Sequence, residues 1–371
     1  MSRKFRLAYF AHSLRSDWNH GNAHFLRGLM RNMIALGHEV SVFEPRSGWS
    51  IQHLREEETG SYALRQFSET YPELRISLYD ADAVCDTGLW RDALKDFEIV
   101  VLHEWNAPAL AHTLIDVRDE LGFRLLFHDT HHRASSSPEQ IRLFGTDQFD
   151  GVLAFGDALR SIYQQQFGMS RVWTLHEAAD TSVFRPRPHT EKTTDVVWIG
   201  NWGDDERSQE ICQFLLRPAA SLRDYRFAVF GVRYPENALR ALQHSGVRYG
   251  GYLPNLDAPA VYSAARLTVH IPRQEYVTAM RGIPTIRVFE ALACGIPLIS
   301  APWEDSEQLF RKEDFRLVRD GHEMQCAMNS LLSNKSAATE QALRGLETIL
   351  ARHTCRHRAE ELTAICEEIV Q

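Results

Sequence analysis

TIRVFEALACGIPLIS spans Thr285–Ser300 and sets an apolar helix pattern directly against an apolar strand pattern, with Gly295 as the stop between them. Pro284 cannot continue a preceding helix, and Thr285 is of the type that caps one. The spacing predicts a helix over about Ile286–Cys294, with Val288, Phe289 and Leu292 on its buried side. Arg287 and Glu290 are three apart and share a face. Two readings of that face stay open. In one, Arg287 and Glu290 form an internal ion pair on a solvated surface. In the other, the helix N-terminus and Arg287 receive a diphosphate, and Glu290, one turn deeper, accepts hydrogen bonds from a ribose diol.

A helix followed at once by a strand is half of an α/β unit, and the rest of the chain repeats it. FRLAYFA reads as a buried strand, DWNHGNAH (Asp17–His24) as the loop at its end, FLRGLMRNMIALGH as a helix stopped by Gly37, and EVSVFEP as the next strand. FEIVVLHEW, FRLLFHDTHH and FDGVLAFG are further strands, followed by a helix near Ala158–Phe167 and the strand in SRVWTLHEAAD. After TSVFRPRPHTEKTT, read as a linker, the pattern restarts with DVVWIGNW, RFAVFGV, RLTVHIP and GIPLISAP, and about Met324–Val370 is mostly helical. At 371 residues, two domains are expected. The expected class is therefore α/β: two Rossmann-like domains facing each other across a cleft. The boundaries are an N-terminal domain over 1–184, a C-terminal domain over 185–350, and a last helix over 351–371 crossing back to the first domain. In open parallel sheets the ligand lies at the carboxyl ends of the strands.

Composition narrows the function classes. The chain is 44% apolar and 24% charged, with a formal charge of −8. That balance argues against a nucleic-acid partner. No apolar run reaches 18 residues, so no integral membrane segment is expected, and MSRKFRLAYFAHSL reads as a first strand rather than a signal peptide. The six cysteines are scattered without knuckle or redox spacing, as in a cytoplasmic protein. No GxGxxG turn with a following acidic residue is present, which excludes a nicotinamide-binding dehydrogenase.

Several strand ends carry chemistry-bearing residues. Gly200–Arg207 (GNWGDDER) contains Asn201, Trp202 and Gly203, with glycines for close backbone approach and Arg207 for a phosphate. Arg233 and Arg273 also follow strands, so that with Arg287 an anion site is expected. HDTHHR (His128–Arg133) places His128, Asp129 and His131 where they can contact sugar hydroxyls or take a proton. Its spacing matches no zinc pattern, and no metal site is expected. HEW (His103–Trp105) and HEAAD (His176–Asp180) read equally as loop caps or as functional groups. Asp80–Asp82, a DxD-like stretch with no clear strand before it, reads as solvated surface.

The ordered set GVLAFGDALRSIYQQQFG, HEAADTSVFRP, WIGNWGDDER and GIPTIRVFEALACG resembles a GT-B glycosyltransferase of the retaining, family-4-like group, in its spore-maturation (CgeB-like) branch. The resemblance covers nearly the whole chain, most strongly Leu126–Pro302. It implies a metal-independent hexosyl or related transferase that needs no cofactor and uses a nucleotide-diphosphate sugar as donor. The acceptor, whether saccharide, protein or small molecule, stays open. It places Glu290 on the ribose, Thr285, Ile286 and Arg287 at the diphosphate, Arg207 at the basic phosphate contact, and His131 rather than His128 near the donor sugar. Gly21 and Asn22 fall where donor and acceptor meet. The group's E-x7-E pair is reduced to its second member, because Gly282 occupies the first position. The backbone of Arg281 to Thr285 is expected to supply sugar contacts instead. An epimerase and a catalytically idle sugar-binding protein on the same scaffold are the alternatives.

Overall fold

The computed structural model describes residues 3–203 and 206–371. Their contacts divide into two units. The first takes the chain up to Asp17, Asn22–Glu177 and Cys355–Gln371; the second takes Trp18–Gly21 and Ala178–Thr354.

In the first unit seven parallel strands lie in the order β3-β2-β1-β4-β5-β6-β7. They are β1 (Arg6–Phe10), β2 (Glu39–Pro45), β3 (Arg75–Tyr79), β4 (Ile99–His103), β5 (Arg124–Asp129), β6 (Gly151–Ala154) and β7 (Val172–Thr174). Every residue of β4 is buried, as expected where helices cover both faces of a parallel sheet. The order reverses between β1 and β4, whose register sets Leu7 beside Ile99 and Phe10 beside Leu102. Strands wound outward in both directions part at this point, and the loops at their carboxyl ends leave a crevice. Buried polar groups fix those loops. Glu44, fully buried at the end of β2, accepts from the Leu14 N–H at 2.8 Å and the Arg15 Nε–H at 2.8 Å. Asn106 donates to the Phe10 carbonyl at 2.8 Å. The terminal helix Cys355–Ile369 packs on the helix Ala23–Ala35, and His38 Nε2 lies 2.9 Å from the Thr363 hydroxyl.

The second unit repeats the arrangement with six parallel strands, β10-β9-β8-β11-β12-β13. These are β8 (Thr194–Ile199), β9 (Phe227–Phe230), β10 (Val247–Tyr249), β11 (Ala265–His270), β12 (Leu298–Ser300) and β13 (Arg316–Leu317). The order reverses between β8 and β11. The helix Ile286–Ala293 lies between the helix Lys335–Arg352 and strands β11 and β12. It is consequently buried nearly all round, not only along Val288, Phe289 and Leu292.

Three strands had no counterpart in the sequence reading: β3, β10 and β13. All are at or near sheet edges, and β10 and β13 are only two or three residues long. Because β3 precedes it, Asp80 sits at a strand end after all; it is exposed and pairs with Arg46 at 2.8 Å. The linker stretch is also less open than expected, since Phe184 is fully buried. All six cysteines are free thiols. Among the described residues, no helix is long and apolar enough to cross a membrane.

Gly345 is where the helix Lys335–Arg352 comes closest to its neighbours. A Cβ there would meet Leu292 Cδ2 at 2.6 Å and the Asp314 carbonyl at 3.0 Å. Gly345→Val should therefore destabilise the second unit by about 1–3 kcal/mol through overpacking. The check is an earlier thermal transition than in the native chain.

Candidate functional site

The second unit gathers guanidinium groups at its strand reversal. Arg207 follows β8; its Nη1 donates to the Ile271 carbonyl at 3.2 Å and its Nη2 to the Asn201 carbonyl. Its guanidinium lies over the Trp198 ring at 5.4 Å. Arg273 follows β11 and pairs with Glu206. Arg287 begins the helix Ile286–Ala293 and pairs with Glu290 at 2.6 Å. Dense surrounding protein, then the charges of Arg273 and Arg287, bring the Arg207 pKa down to about 10. Arg207 keeps part of its surface open even so. Arg207 is near enough to feel both other cations, and among the described residues its guanidinium bonds to carbonyls. A bound anion would relieve that repulsion.

The helix start beside them suits the same ligand. Thr285 occupies the N-cap position with extended backbone, but its side chain makes no capping bond. The positive end of the helix is left to other acceptors. Ile286 is buried. The preceding turn is held by Trp303, whose Nε1–H donates to the Ile283 carbonyl at 3.1 Å. Gly282 has φ of 98°, and a Cβ there would meet Ser306 Oγ at 2.4 Å. A residue with a Cβ, such as the glutamate of the E-x7-E pair, would be strained at this φ, and glycine suits the turn.

Glu290 is neither half-exposed nor on a solvated face. Its side chain is fully buried while that of Arg287 is 25% exposed, so the Arg–Glu pair forms but its carboxylate does not face solvent. The Tyr262 phenol, also buried, lies close to Glu290, and burial followed by the Glu290 charge pushes its pKa well above the usual range.

The remaining residues of this group separate. Trp202 is 4% exposed, and its ring is part of the hydrophobic core against Tyr234. Asn201 Oδ1 accepts from the Val232 N–H at 2.9 Å. Gly203 has φ of 85° and open space where a Cβ would be. Asp204 and Asp205 lie outside the described residues. Arg233 is exposed with φ of 62°, and Arg281 is exposed and pairs with Glu304 at 3.4 Å.

His270, at the end of β11, had no place in the sequence reading. Its Nδ1 lies 2.9 Å from Ser300 Oγ, and that hydroxyl donates onward to the Ala301 carbonyl. The imidazole therefore carries its proton on Nδ1 and presents Nε2 as an acceptor. Burial, then Arg207, lowers its pKa to about 3, so it is neutral. Only the strand-end position could have pointed to it.

The first unit assembles a second constellation at its own reversal. His128 and Asp129 end β5 and are fully buried. His128 Nδ1 lies 2.7 Å from the Tyr9 hydroxyl, and burial lowers its pKa to about 3. Asp129 accepts from the Tyr163 hydroxyl at 2.6 Å and the His131 N–H at 2.9 Å, so both oxygens serve the protein. His128 and Asp129 are thus interior groups, while His131 is half-buried beside Trp105, ring centroids 4.9 Å apart. Glu104, fully buried after β4, pairs with Arg133. Burial and the Asp129 charge raise its pKa well above the usual range, against the pull of Arg133 and the Trp105 indole N–H. Asn22 donates to Thr130 Oγ1 at 2.8 Å, and Thr130 also meets His103 Nε2 at 3.0 Å. Gly21 groups with the second unit and Asn22 with the first. Among the described residues, no group of three or more His, Cys, Asp or Glu is arranged to hold a metal ion.

Burial raises the Asp129 pKa from 3.8 to about 6, outweighing its hydrogen bonds from Tyr163 and His131. A carboxyl raised on folding favours the folded state below its unfolded pKa, and that contribution is lost as pH rises through the folded pKa. Between about pH 4 and pH 6 the native chain should therefore lose stability relative to Asp129→Asn. Denaturant titrations of both proteins across that window check the slope.

Known proteins bear on this geometry. Residues 207–364 match the family described as Glycosyl transferase-like. No curated protein matches the sequence. Among solved structures, Anabaena Alr3699/HepE in complex with UDP and glucose aligns at a TM-score of 0.73 and 12% identity, covering 98% of this chain and 100% of that one. Sucrose-phosphate synthase from Thermosynechococcus elongatus aligns at 0.68 and 13%, covering 99% of each. An alpha-glucosyltransferase in complex with UDP and a 13-mer DNA aligns at 0.69 and 11%, covering 98% and 100%. Residues 207–364 are thus similar to the Glycosyl transferase-like family, and the chain as a whole has the GT-B fold.

Proposed function

We propose that the chain transfers a sugar from a nucleotide-diphosphate donor to an acceptor bound by the first unit, with retention of configuration and without a metal ion. The observation that carries this reading is the grouping of Arg273 and Arg287 around Arg207, with Arg287 at the start of a helix whose N-cap residue, Thr285, makes no capping bond of its own. Charge grows on the diphosphate as the glycosidic bond breaks, and guanidinium groups already in place stabilise it without reorganisation. Arg287 and Arg207 act on the leaving group in this account, and Arg273 and Thr285 help hold it. The donor base and sugar are left open. Two of these neighbours are in complex with UDP, which is therefore the first donor nucleotide to try. The finer placement in a CgeB-like branch, and a cytoplasmic setting, rest on the ordered sequence motifs and the scattered thiols.

Glu290 takes the ribose hydroxyls in this account. Its Oε2 already accepts from Arg287, so the ribose shares the carboxylate with that guanidinium. The same pair then aligns the cation for the diphosphate.

Arg287→Ala should lower the rate of donor hydrolysis, measured without acceptor, more than it lowers nucleotide affinity. Equal losses in both would show that Arg287 serves ground-state binding instead. Glu290→Ala should weaken nucleotide binding by about 1–3 kcal/mol, the cost of losing a charged hydrogen bond. Unchanged calorimetric affinity with reduced thermal stability would return Glu290 to a purely internal pairing role.

A further inference from the structure

Trp105 is the residue the reading above leaves without a task. It immediately follows β4, beside the strand reversal of the first unit, and is 42% exposed. Its indole is nevertheless held. The Arg133 guanidinium lies over the ring at 4.1 Å from the centroid, and Arg133 is fixed in turn by Glu104, through both its carboxylate and its carbonyl. His131 meets the ring in a T-shaped contact, and the His12 ring lies 6.2 Å away. A large aromatic plane is therefore kept rigid at a strand carboxyl end, with one face covered by a cation and part of its surface open.

The surroundings select among ligands. An apolar lipid or peptide needs contiguous apolar surface, whereas the neighbours here are histidine, arginine and glutamate. An anionic ligand needs a guanidinium open to pair with it, whereas that of Arg133 is already engaged by the Glu104 carboxyl group and carbonyl. Burial, then Arg133, lowers the His12 pKa to about 3, so that ring adds no charge at neutral pH. The match is a neutral molecule with an apolar C–H face and hydroxyls at its edge.

We infer that Trp105 is a stacking platform for a neutral saccharide, and that the acceptor carries a pyranose ring whose C–H face lies on the indole. Identifying that saccharide as the acceptor rests on the transferase reading. The platform itself does not. The ring's C–H groups, weakly positive, would meet the electron-rich face of the indole, and its hydroxyls would find polar partners at the rim.

The test uses the full chain and its Trp105→Ala and Trp105→Phe variants. Each is screened against a printed glycan array, and saturation-transfer NMR follows with cellobiose, maltose and N,N′-diacetylchitobiose. Thermal melting and titration with UDP, GDP, ADP and dTDP serve as controls for folding and for the donor site. The native chain should bind a subset of neutral glycans, with the strongest saturation at ring C–H protons. Trp105→Ala should weaken that binding about tenfold, and Trp105→Phe should keep most of it, while melting and nucleotide affinity stay unchanged. A folded native chain that binds no glycan, or a Trp105→Ala variant that binds as well as the native chain, overturns the inference. Glycan binding that depends on Trp105 in a chain that binds no nucleotide would uphold the platform and overturn the transferase reading alone.

Discussion

A parallel sheet wound outward from its first strand must reverse direction once, and that reversal is the constraint on which both units depend. In each, the first strand pairs with the second strand on one side and with the fourth on the other. The helices that follow leave in opposite directions, and the loops at the carboxyl ends part. Several of the groups described above sit at such a reversal or on the strand beside it. Arg207 and Arg273 follow the two strands flanking the gap in the second unit, and Trp105 follows one of the pair in the first.

The two reversals are furnished differently. The second unit concentrates positive charge, and the cost shows in the lowered pKa of Arg207. Glu206 and Glu290 offset part of it through Arg273 and Arg287. The first unit balances its charges internally. Arg133 is held by Glu104, Asp129 by Tyr163 and His131, and His12 and His128 are kept neutral by burial. One is arranged for an anion and the other for a neutral polar ligand, which is the division a nucleotide-sugar donor and a hydroxyl-bearing acceptor require.

Much of this was legible in the sequence. Long buried strands such as β1, β4, β5 and β8 declare themselves by apolar runs, and the loops after them by glycine, histidine and asparagine. The helix at Ile286 was legible from its cap and its stop. The short edge strands β10 and β13 were not, because two or three half-exposed residues carry no period. The burial of Glu290 was not legible either. Tyr262, from the separate helix Ala258–Ala264, is among its neighbours, and no local period reports such a contact. Trp202 resembled a loop residue by position, yet its ring reaches the core beneath Tyr234. His128 and Asp129 resembled surface ligands, and only Tyr9 and Tyr163, distant in sequence, reveal them as interior groups. Local pattern reports the backbone well. It does not report which side of a loop a distant element will cover.

The central claim is that the cations at the second reversal bind the diphosphate of a nucleotide. Its most direct test is calorimetric titration of the native chain with UDP, GDP, ADP and dTDP, without added metal, each beside its unphosphorylated nucleoside. The account predicts selective binding of one diphosphate in the micromolar range, with its nucleoside at least tenfold weaker. No binding of any diphosphate to a folded chain, or a nucleoside that binds as tightly as its diphosphate, would contradict it.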